Sequence, residues 1–334
     1  MQSQSGTGLD PSLGIQAQQE QAAAQAAANG AQQDQQTYAQ ALAAAQQDTK
    51  AAIQQSAQQY AQQLASLQQA GGANRNATGG GPLVAGGGGS VSTAPAGSTF
   101  SDNFAGGIDP SKWGYNYPWS DACDTSGNSD ATQYAAYASP ACSGQPNPFS
   151  TGANGLDIAI NSGNVAGKPA YTGQLYSKQA FQYGYFEETA KLPTTTGTGA
   201  AFWLMPQDGS WPPEIDVMEN LGQDPSKVYS TLHDTGGAAQ QQVASNVSGG
   251  SGSGFHTYGM DWQPDTTTFY VDGKATGSMA TPASMHQPMY MILSMNSSPP
   301  GNTNWGSSIN TSQPVNDSYQ IKNVNVYATN PYGP

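Results

Sequence analysis

Three acidic residues fall within six consecutive positions, in the segment Glu214-Ile215-Asp216-Val217-Met218-Glu219. Side chains of a β-strand alternate between its two faces, so Glu214 and Asp216 share one face. Strict alternation would turn Glu219 away from them. One extra residue at Val217-Met218, a β-bulge, would bring Glu219 back. With that bulge, the sequence predicts three carboxyl groups along one face of one strand.

Like charges this close together are costly in an ordinary sheet. The nearest basic residues in the sequence are Lys191 and Lys227, so the segment has no local cation to compensate it. The cost falls if a carboxyl is protonated, and carboxyls of different protonation are what glycoside hydrolysis requires. In retaining enzymes the two groups lie about 5–5.5 Å apart. The spacing therefore favours glycosidic chemistry, with an exposed acidic edge strand or a calcium site as the alternatives.

The residues around the acids resemble a known family. The stretch 211–220 is similar to the signature of glycoside hydrolase family 16, in its laminarinase-like form with two residues between the Asp and the second Glu. The resemblance extends in the same order over the region 99–329. The similar segments are 100–104, 108–113, 183–187, 190–193, 201–204, 255–262 and 269–273.

This resemblance implies a role for each acid. Glu214 would be the nucleophile, and Glu219 the general acid that protonates the leaving oxygen and then the base that activates water. Asp216 would hydrogen-bond the nucleophile and help to set the protonation of the pair. The implied fold is all-β, a β-jelly-roll sandwich of two antiparallel sheets whose concave sheet forms an open substrate cleft.

The expected function is that of a retaining endo-acting glycosidase on β-1,3 or mixed β-1,3/1,4-glucan. One alternative in the same fold is hydrolysis or transglycosylation of a bacterial exopolysaccharide or galactan. Another class is a carbohydrate-binding or matrix protein whose acids do no chemistry. No cofactor is expected to be required. Members of the family often hold a structural calcium ion on the convex face, for which Asp102 and the backbone near Asn323 are the candidates.

Aromatic rings bind sugars by stacking on their apolar C–H faces. Trp211, just before the first acid, and Trp203, at the end of the preceding predicted strand, are candidate platforms, although Trp203 could be a core residue. Trp119 and Trp305 lie in Pro/Gly-rich loops and are candidates for the rim of a cleft. His233 ends the next predicted strand and would bind sugar or tune Glu219, unless it is a structural histidine.

Composition limits the partners. The chain of 334 residues has 9 Lys+Arg against 22 Asp+Glu, a formal net charge of -13. Such a chain repels phosphate backbones, so no nucleic acid is expected, whereas a neutral polysaccharide fits. No apolar run of about 18 residues predicts a membrane span. A polysaccharide substrate implies a secreted or cell-surface location, yet the first residues show no Sec-type signal.

Composition also divides the chain into three regions. Residues 1–70 are rich in Gln and Ala, 71–98 form a Gly-rich flexible linker, and 99–330 are expected to form the catalytic domain. The first region is predicted to be partly helical. A short a/d seam there indicates either a coiled coil that forms homo-oligomers or a solvated low-complexity tail. The seam residues are Ile53, Ala57, Tyr60, Leu64 and Leu67.

Short strands must position the acids. Asp272-Gly273 predicts a hairpin turn. Cys123 and Cys142, in a loop-like stretch, are expected to form a disulfide, with two free thiols as the alternative. Trp113 and Trp262 lie in apolar patterns and are expected in the core. The predicted strands are 155–160, 175–180, 184–192, 200–204, 214–219, 227–233, 256–262, 267–271, 289–295 and 319–328.

Overall fold

A computed structural model of the chain describes residues 96–119, 123, 133–234, 241–301, 307–312 and 314–333. The Gln/Ala-rich region 1–70, its predicted helix and most of the linker lie outside the described residues, as does Trp305. The predictions made for them therefore stay predictions.

The described part of the chain folds into two β-sheets, with strands numbered here in chain order. Ten strands form one sheet: β1 (Ser98–Asp102), β3 (Ala135–Tyr137), β4 (Phe149–Gly152), β5 (Gly155–Val165), β6 (Lys168–Thr172), β8 (Gly184–Lys191), β13 (His256–Trp262), β14 (Thr266–Val271), β15 (Lys274–Ala280) and β17 (Asn316–Tyr327). Seven strands form the other: β2 (Trp113–Tyr115), β7 (Gln174–Phe181), β9 (Thr198–Pro206), β10 (Glu214–Asn220), β11 (Lys227–His233), β12 (Gln241–Asn246) and β16 (Met289–Ser297). A 3₁₀ turn covers Ala283–Met285.

The order of strands places the acid-bearing strand inside its sheet. The seven-stranded sheet runs β12-β11-β10-β9-β16-β7-β2, so β10 is paired on both sides. The ten-stranded sheet runs β15-β14-β13-β8-β17-β5-β6-β3, with β1 added on β17 and β4 on β5. The pairs are antiparallel except that β3 and β6 run parallel. The predicted all-β sandwich is confirmed, with this one parallel pair as a departure from the expectation of purely antiparallel sheets.

The core lies between the sheets and follows from alternation within the strands. On β9, Phe202 and Leu204 are fully buried, while Ala201 and Trp203 belong to the opposite face. Burying a large apolar side chain of this kind is worth about 1.5–3 kcal/mol. The predicted core residues Trp113 and Trp262 are both buried, so that prediction is confirmed.

Several smaller predictions are also confirmed. Each of the ten predicted strands coincides with an observed one. Asp272 and Gly273 form the two-residue turn between β14 and β15. Their φ angles of 51° and 72° are both positive, as a type I′ hairpin turn requires. Cys123 and Cys142 form the expected disulfide. Among the described residues, no helix has both the length and the apolar character needed to cross a membrane.

Candidate active site

The three acids lie on β10, and the predicted bulge is present. Against β11, Asp216 pairs with Thr231 and Glu219 with Tyr229, so β10 uses three steps where β11 uses two. The same extra residue appears against β9. Val217 and Met218 are both buried, because the bulge lets two consecutive apolar side chains enter the core.

The bulge returns Glu219 to the face of the other two acids. Glu219 stands beside Ala201 of β9 and Tyr229 of β11, whereas Asp216 stands beside Trp203 and Thr231. The charges of Asp216 and Glu214 both act on the Glu219 carboxyl. The structure therefore brings together the three carboxyl groups that the sequence singled out.

His233 lies directly across from Glu214 in the β10–β11 pair. Its Nε2 is 2.9 Å from Oδ2 of Asp216 and 3.5 Å from Oε1 of Glu214. The imidazole is therefore hydrogen-bonded to the middle acid and close to the first one. The expected adjacency of His233 to the acids is confirmed, and its functional role stays a prediction.

Trp211 contacts the site through its indole nitrogen. Its Nε1 donates a hydrogen bond of 2.8 Å to Oε2 of Glu214. The ring itself is 63% exposed and lies 6.5 Å from the His233 ring. Trp211 thus combines an open apolar surface with a hydrogen bond that holds one oxygen of Glu214 in place.

Burial governs the protonation of the three acids. It raises the pKa of Glu214, but the charge of His233 and the hydrogen bonds from Trp211 and Asp216 oppose that rise. The pKa of Asp216 is raised well above its ordinary value, mainly by burial and also by the neighbouring Glu214. The pKa of Glu219 is likewise raised well above its ordinary value, mainly by burial and also by the charges of Asp216 and Glu214. Hydrogen bonds and the charge of His233 thus favour the ionised form of Glu214, whereas burial and two neighbouring carboxyls keep Glu219 protonated to higher pH than usual.

Trp203 lies on the same face as the acids and not in the core. It pairs with Asp216 on one side and Ile292 on the other, and its side chain is only partly buried. Its Nε1 donates to Oγ of Ser294 at 3.1 Å, which fixes the plane of the ring. The alternative of a core role for Trp203 is therefore wrong.

Trp119 is connected to the acid face through Tyr117, a residue that the sequence did not single out. Tyr117 stacks on Trp119, with ring centroids 5.1 Å apart and an interplanar angle of 16°, and meets Trp203 edge-on at 6.3 Å. Trp119 is 45% exposed and packs against Gly209, where an added Cβ would lie 3.2 Å from the indole. The sequence feature that could have indicated Tyr117 is the spacing of the two aromatic residues in Tyr117-Pro118-Trp119.

The possible calcium site at Asp102 and the backbone near Asn323 stays a prediction. Oδ1 of Asp102 accepts a hydrogen bond from the Phe104 backbone, and Oδ2 accepts one from Nε1 of Trp113. The Lys112 ammonium also lies 3.8 Å from Oδ2. The Asp102 carboxylate is thus committed to protein donors. Elsewhere, one ligand atom from each of Glu214, Asp216 and His233 could meet around a cation, because these atoms lie within 4.8 Å of one another.

Together, the fold and the site define a β-jelly-roll protein with a carboxylate-lined face on one sheet. The family model Glycosyl hydrolases family 16 matches residues 139–313. The chain belongs to this family.

Two curated relatives from Rhizobium meliloti are similar to the chain. Endo-1,3-1,4-beta-glycanase ExsH is 40% identical over 157 residues, which cover 45% of this chain and 34% of that protein. Endo-1,3-1,4-beta-glycanase EglC is 36% identical over 216 residues, 59% of this chain and 45% of that protein. The chain therefore spans less than half the length of either relative.

The fold is also similar to that of a solved structure, the laminarinase catalytic domain from Thermotoga maritima. It superposes with a TM-score of 0.56 at 23% identity, covering 69% of this chain and 97% of that one. At this identity the likeness supports the jelly-roll fold alone.

Proposed function

We propose that the protein is a retaining endo-acting glycosidase that hydrolyses β-glucan with 1,3 or mixed 1,3/1,4 linkages. The observation that carries the proposal is the bulge in β10, which places Glu219 on the face of Glu214 and Asp216. The printed names of ExsH and EglC, both endo-1,3-1,4-beta-glycanases, support the choice of linkage.

In the first step Glu214 attacks the anomeric carbon as the carboxylate. The bond to the leaving sugar breaks, its electron pair stays on the glycosidic oxygen, and that oxygen takes the proton of Glu219. This assignment agrees with the pKa directions, because the pKa of Glu219 is raised well above its ordinary value and that of Glu214 is raised less. Within the described part of the chain, no hydrogen bond contributes to the pKa shift of Glu219, so its carboxyl is available to the substrate.

In the second step water hydrolyses the covalent glycosyl ester. Glu219, now ionised, takes a proton from the water as its oxygen attacks the anomeric carbon, and Glu214 leaves as the carboxylate. Two inversions at one carbon give overall retention. Both catalytic groups return to their starting protonation.

The neighbours position these two groups. Trp211 holds Oε2 of Glu214, and His233 holds Asp216 next to the nucleophile. Holding the reacting groups in place lowers the entropic part of the barrier. Trp203 and the exposed Trp119 offer ring surface on which sugar units can stack. The disulfide fits an exported protein, and we propose a secreted or cell-surface location where polysaccharide is met.

The test compares Glu214→Gln and Glu219→Gln with the unmodified chain on laminarin, mixed-linkage β-glucan and a galactan. Loss of the general acid is expected to lower kcat by about 10²–10⁴-fold. An aryl glycoside whose leaving group needs no proton should restore the first step in Glu219→Gln but not in Glu214→Gln. The matched control is Glu187→Gln, on the ten-stranded sheet.

Each result bears on the proposal. Products with retained anomeric configuration support the double displacement, and inverted products refute it. Preference for the galactan would replace the glucan assignment. If the unmodified chain is as inert as both variants on every polymer, the protein is a binding or matrix protein and the enzymatic proposal fails.

A further inference from the structure

A second acid, Glu188, lies inside the core and takes no part in the proposed reaction. It belongs to β8, where Phe186 and Ala190 on the same face are fully buried. Glu188 is itself 0% exposed. Its neighbour Glu187 points to the opposite face and accepts hydrogen bonds from Asn325, Tyr327 and Tyr332. The alternation of β8 thus sends one of two consecutive glutamates between the sheets.

Two tyrosines surround the Glu188 carboxyl. The Tyr319 hydroxyl of β17 donates a hydrogen bond to Oε2 of Glu188. Tyr258 of β13 is the direct cross-strand partner of Glu188. Oε1 of Glu188 and the hydroxyl of Tyr258 are both buried, and neither has a hydrogen-bond partner in the described part of the chain. The carboxyl therefore has one donor where an ionised carboxylate would need several.

No positive charge in the described residues compensates Glu188. Lys191 of β8 belongs to the opposite face, and Lys322 of β17 is exposed above the Phe255 ring. On β13, two residues before Tyr258, His256 is paired with Asp272.

On β1, Asp102 faces the core two strands away from Glu188, and its nearest ammonium is that of Lys112. An ionised carboxylate without a partner is expensive in such surroundings. Burial accordingly raises the pKa of Glu188 to about 8, and only the Tyr319 hydrogen bond opposes the rise.

We propose that Glu188 is folded into the core as a neutral carboxylic acid, and that this single buried proton makes the folded state progressively less stable as the pH rises from acidic to neutral. The proton sits on Oε1, since Oε2 accepts from Tyr319. On ionisation it passes to solvent and leaves the negative charge on the buried carboxylate. This pH dependence of folding stability does not depend on the proposed activity.

The direction of this pH dependence follows from the different proton affinity of Glu188 in the folded and unfolded chains. Below pH 4.5, which is the ordinary pKa of a glutamate side chain, the folded and unfolded chains both hold the proton and the folded state is not destabilised. Between pH 4.5 and about 8 the unfolded chain has lost it and the folded chain has not, so the folding equilibrium constant falls tenfold per pH unit. The difference, 8 minus 4.5, is about 3.5 units, and because each state is half-ionised at its own pKa, the change between these two pH values is about three powers of ten.

The experiment is urea unfolding of the full chain and of Glu188→Gln at pH values from 4.5 to 8. The amide of Gln has nearly the same shape, can accept from Tyr319 and cannot ionise. The ratio of the folding constants, variant over unmodified chain, should rise with pH by on the order of a thousandfold across this window. The matched control, Glu187→Gln, should show no such rise. A ratio that is constant with pH overturns the proposal.

Tyr319→Phe keeps the proposal testable if Glu188→Gln does not fold. In this variant a neutral Glu188 loses only the hydrogen bond that its Oε2 accepts from Tyr319. The loss of stability relative to the unmodified chain should therefore be small at pH 7 and grow above pH 8. If Glu188 is already ionised in the folded chain, removal of its one donor should instead cause a large loss throughout the range above pH 5. That second result refutes the buried neutral acid.

Discussion

His233 touches two of the three acids, and replacing it by Gln separates its hydrogen bond from its charge. Nε2 lies 2.9 Å from Asp216 and 3.5 Å from Glu214. A hydrogen bond to a charged group contributes about 1.5–3 kcal/mol. If the Gln amide does not reproduce that bond in the transition state, kcat/KM falls by about 10- to 150-fold.

The pH profile gives a sharper readout than the rate. The charge of His233 lowers the pKa of both Glu214 and Glu219. Without it, Glu214 ionises at higher pH, so the acidic limb of kcat/KM moves up. Glu219 also keeps its proton to higher pH, so the alkaline limb moves in the same direction. Both limbs of the bell should therefore shift toward alkaline pH in His233→Gln.

The assay is reducing-sugar release from laminarin over a pH series, with His256→Gln as the control. His256 forms a similar pair, 2.9 Å from Asp272, away from the three acids. The control should leave both limbs in place. A large fall in rate with unshifted limbs would show that His233 acts only by holding Asp216. Limbs that move in opposite directions would refute the electrostatic reasoning.

Two further predictions concern Trp211 and the disulfide. Trp211→Phe keeps an aromatic ring but loses the donor to Glu214, so kcat/KM should fall about 10-fold and the acidic limb alone should move up, because Trp211 acts on the pKa of Glu214 and not on that of Glu219. An alkaline limb that moves equally would contradict this. Replacing Cys123 and Cys142 by Ser should lower the free energy of unfolding by about 3 kcal/mol in urea. Reduction of the unmodified chain should reproduce that loss, and an unchanged midpoint in both would contradict it.

The long, alternating strands were predictable from the sequence, and the short or polar ones were not. On β5, for example, Leu156, Ile158 and Ile160 alternate with the less buried Asp157, Ala159 and Asn161. The edge strand β12, which reads Gln-Gln-Val-Ala-Ser-Asn, has little apolar content because much of it is exposed. The three-residue strand β3 joins its sheet by parallel pairing with β6, which no local pattern predicts.

The site was predictable where one strand carries it. The bulge followed from alternation, because Val217 and Met218 are both apolar and lie between two acids. Contacts between distant segments were not predictable. Tyr117 meets Trp203 only because the loop after β2 reaches β9. Glu188 lies on the face of Phe186, and this frame was readable, but its charge argued for the surface.

The bulge also links the chemistry of β10 to the stability of its far end. Asn220 follows Glu219, and its side chain accepts from the Ala200 backbone and donates to the Pro193 carbonyl. Deleting one residue of the bulge would invert the frame of everything after it, turning Glu219 inward and pulling Asn220 off both partners. A chain that paired β10 without the bulge would therefore lose two buried hydrogen bonds of Asn220 and would also turn Glu219 away from Glu214 and Asp216. The pairing that assembles the three acids is thus also the pairing that these hydrogen bonds stabilise during folding.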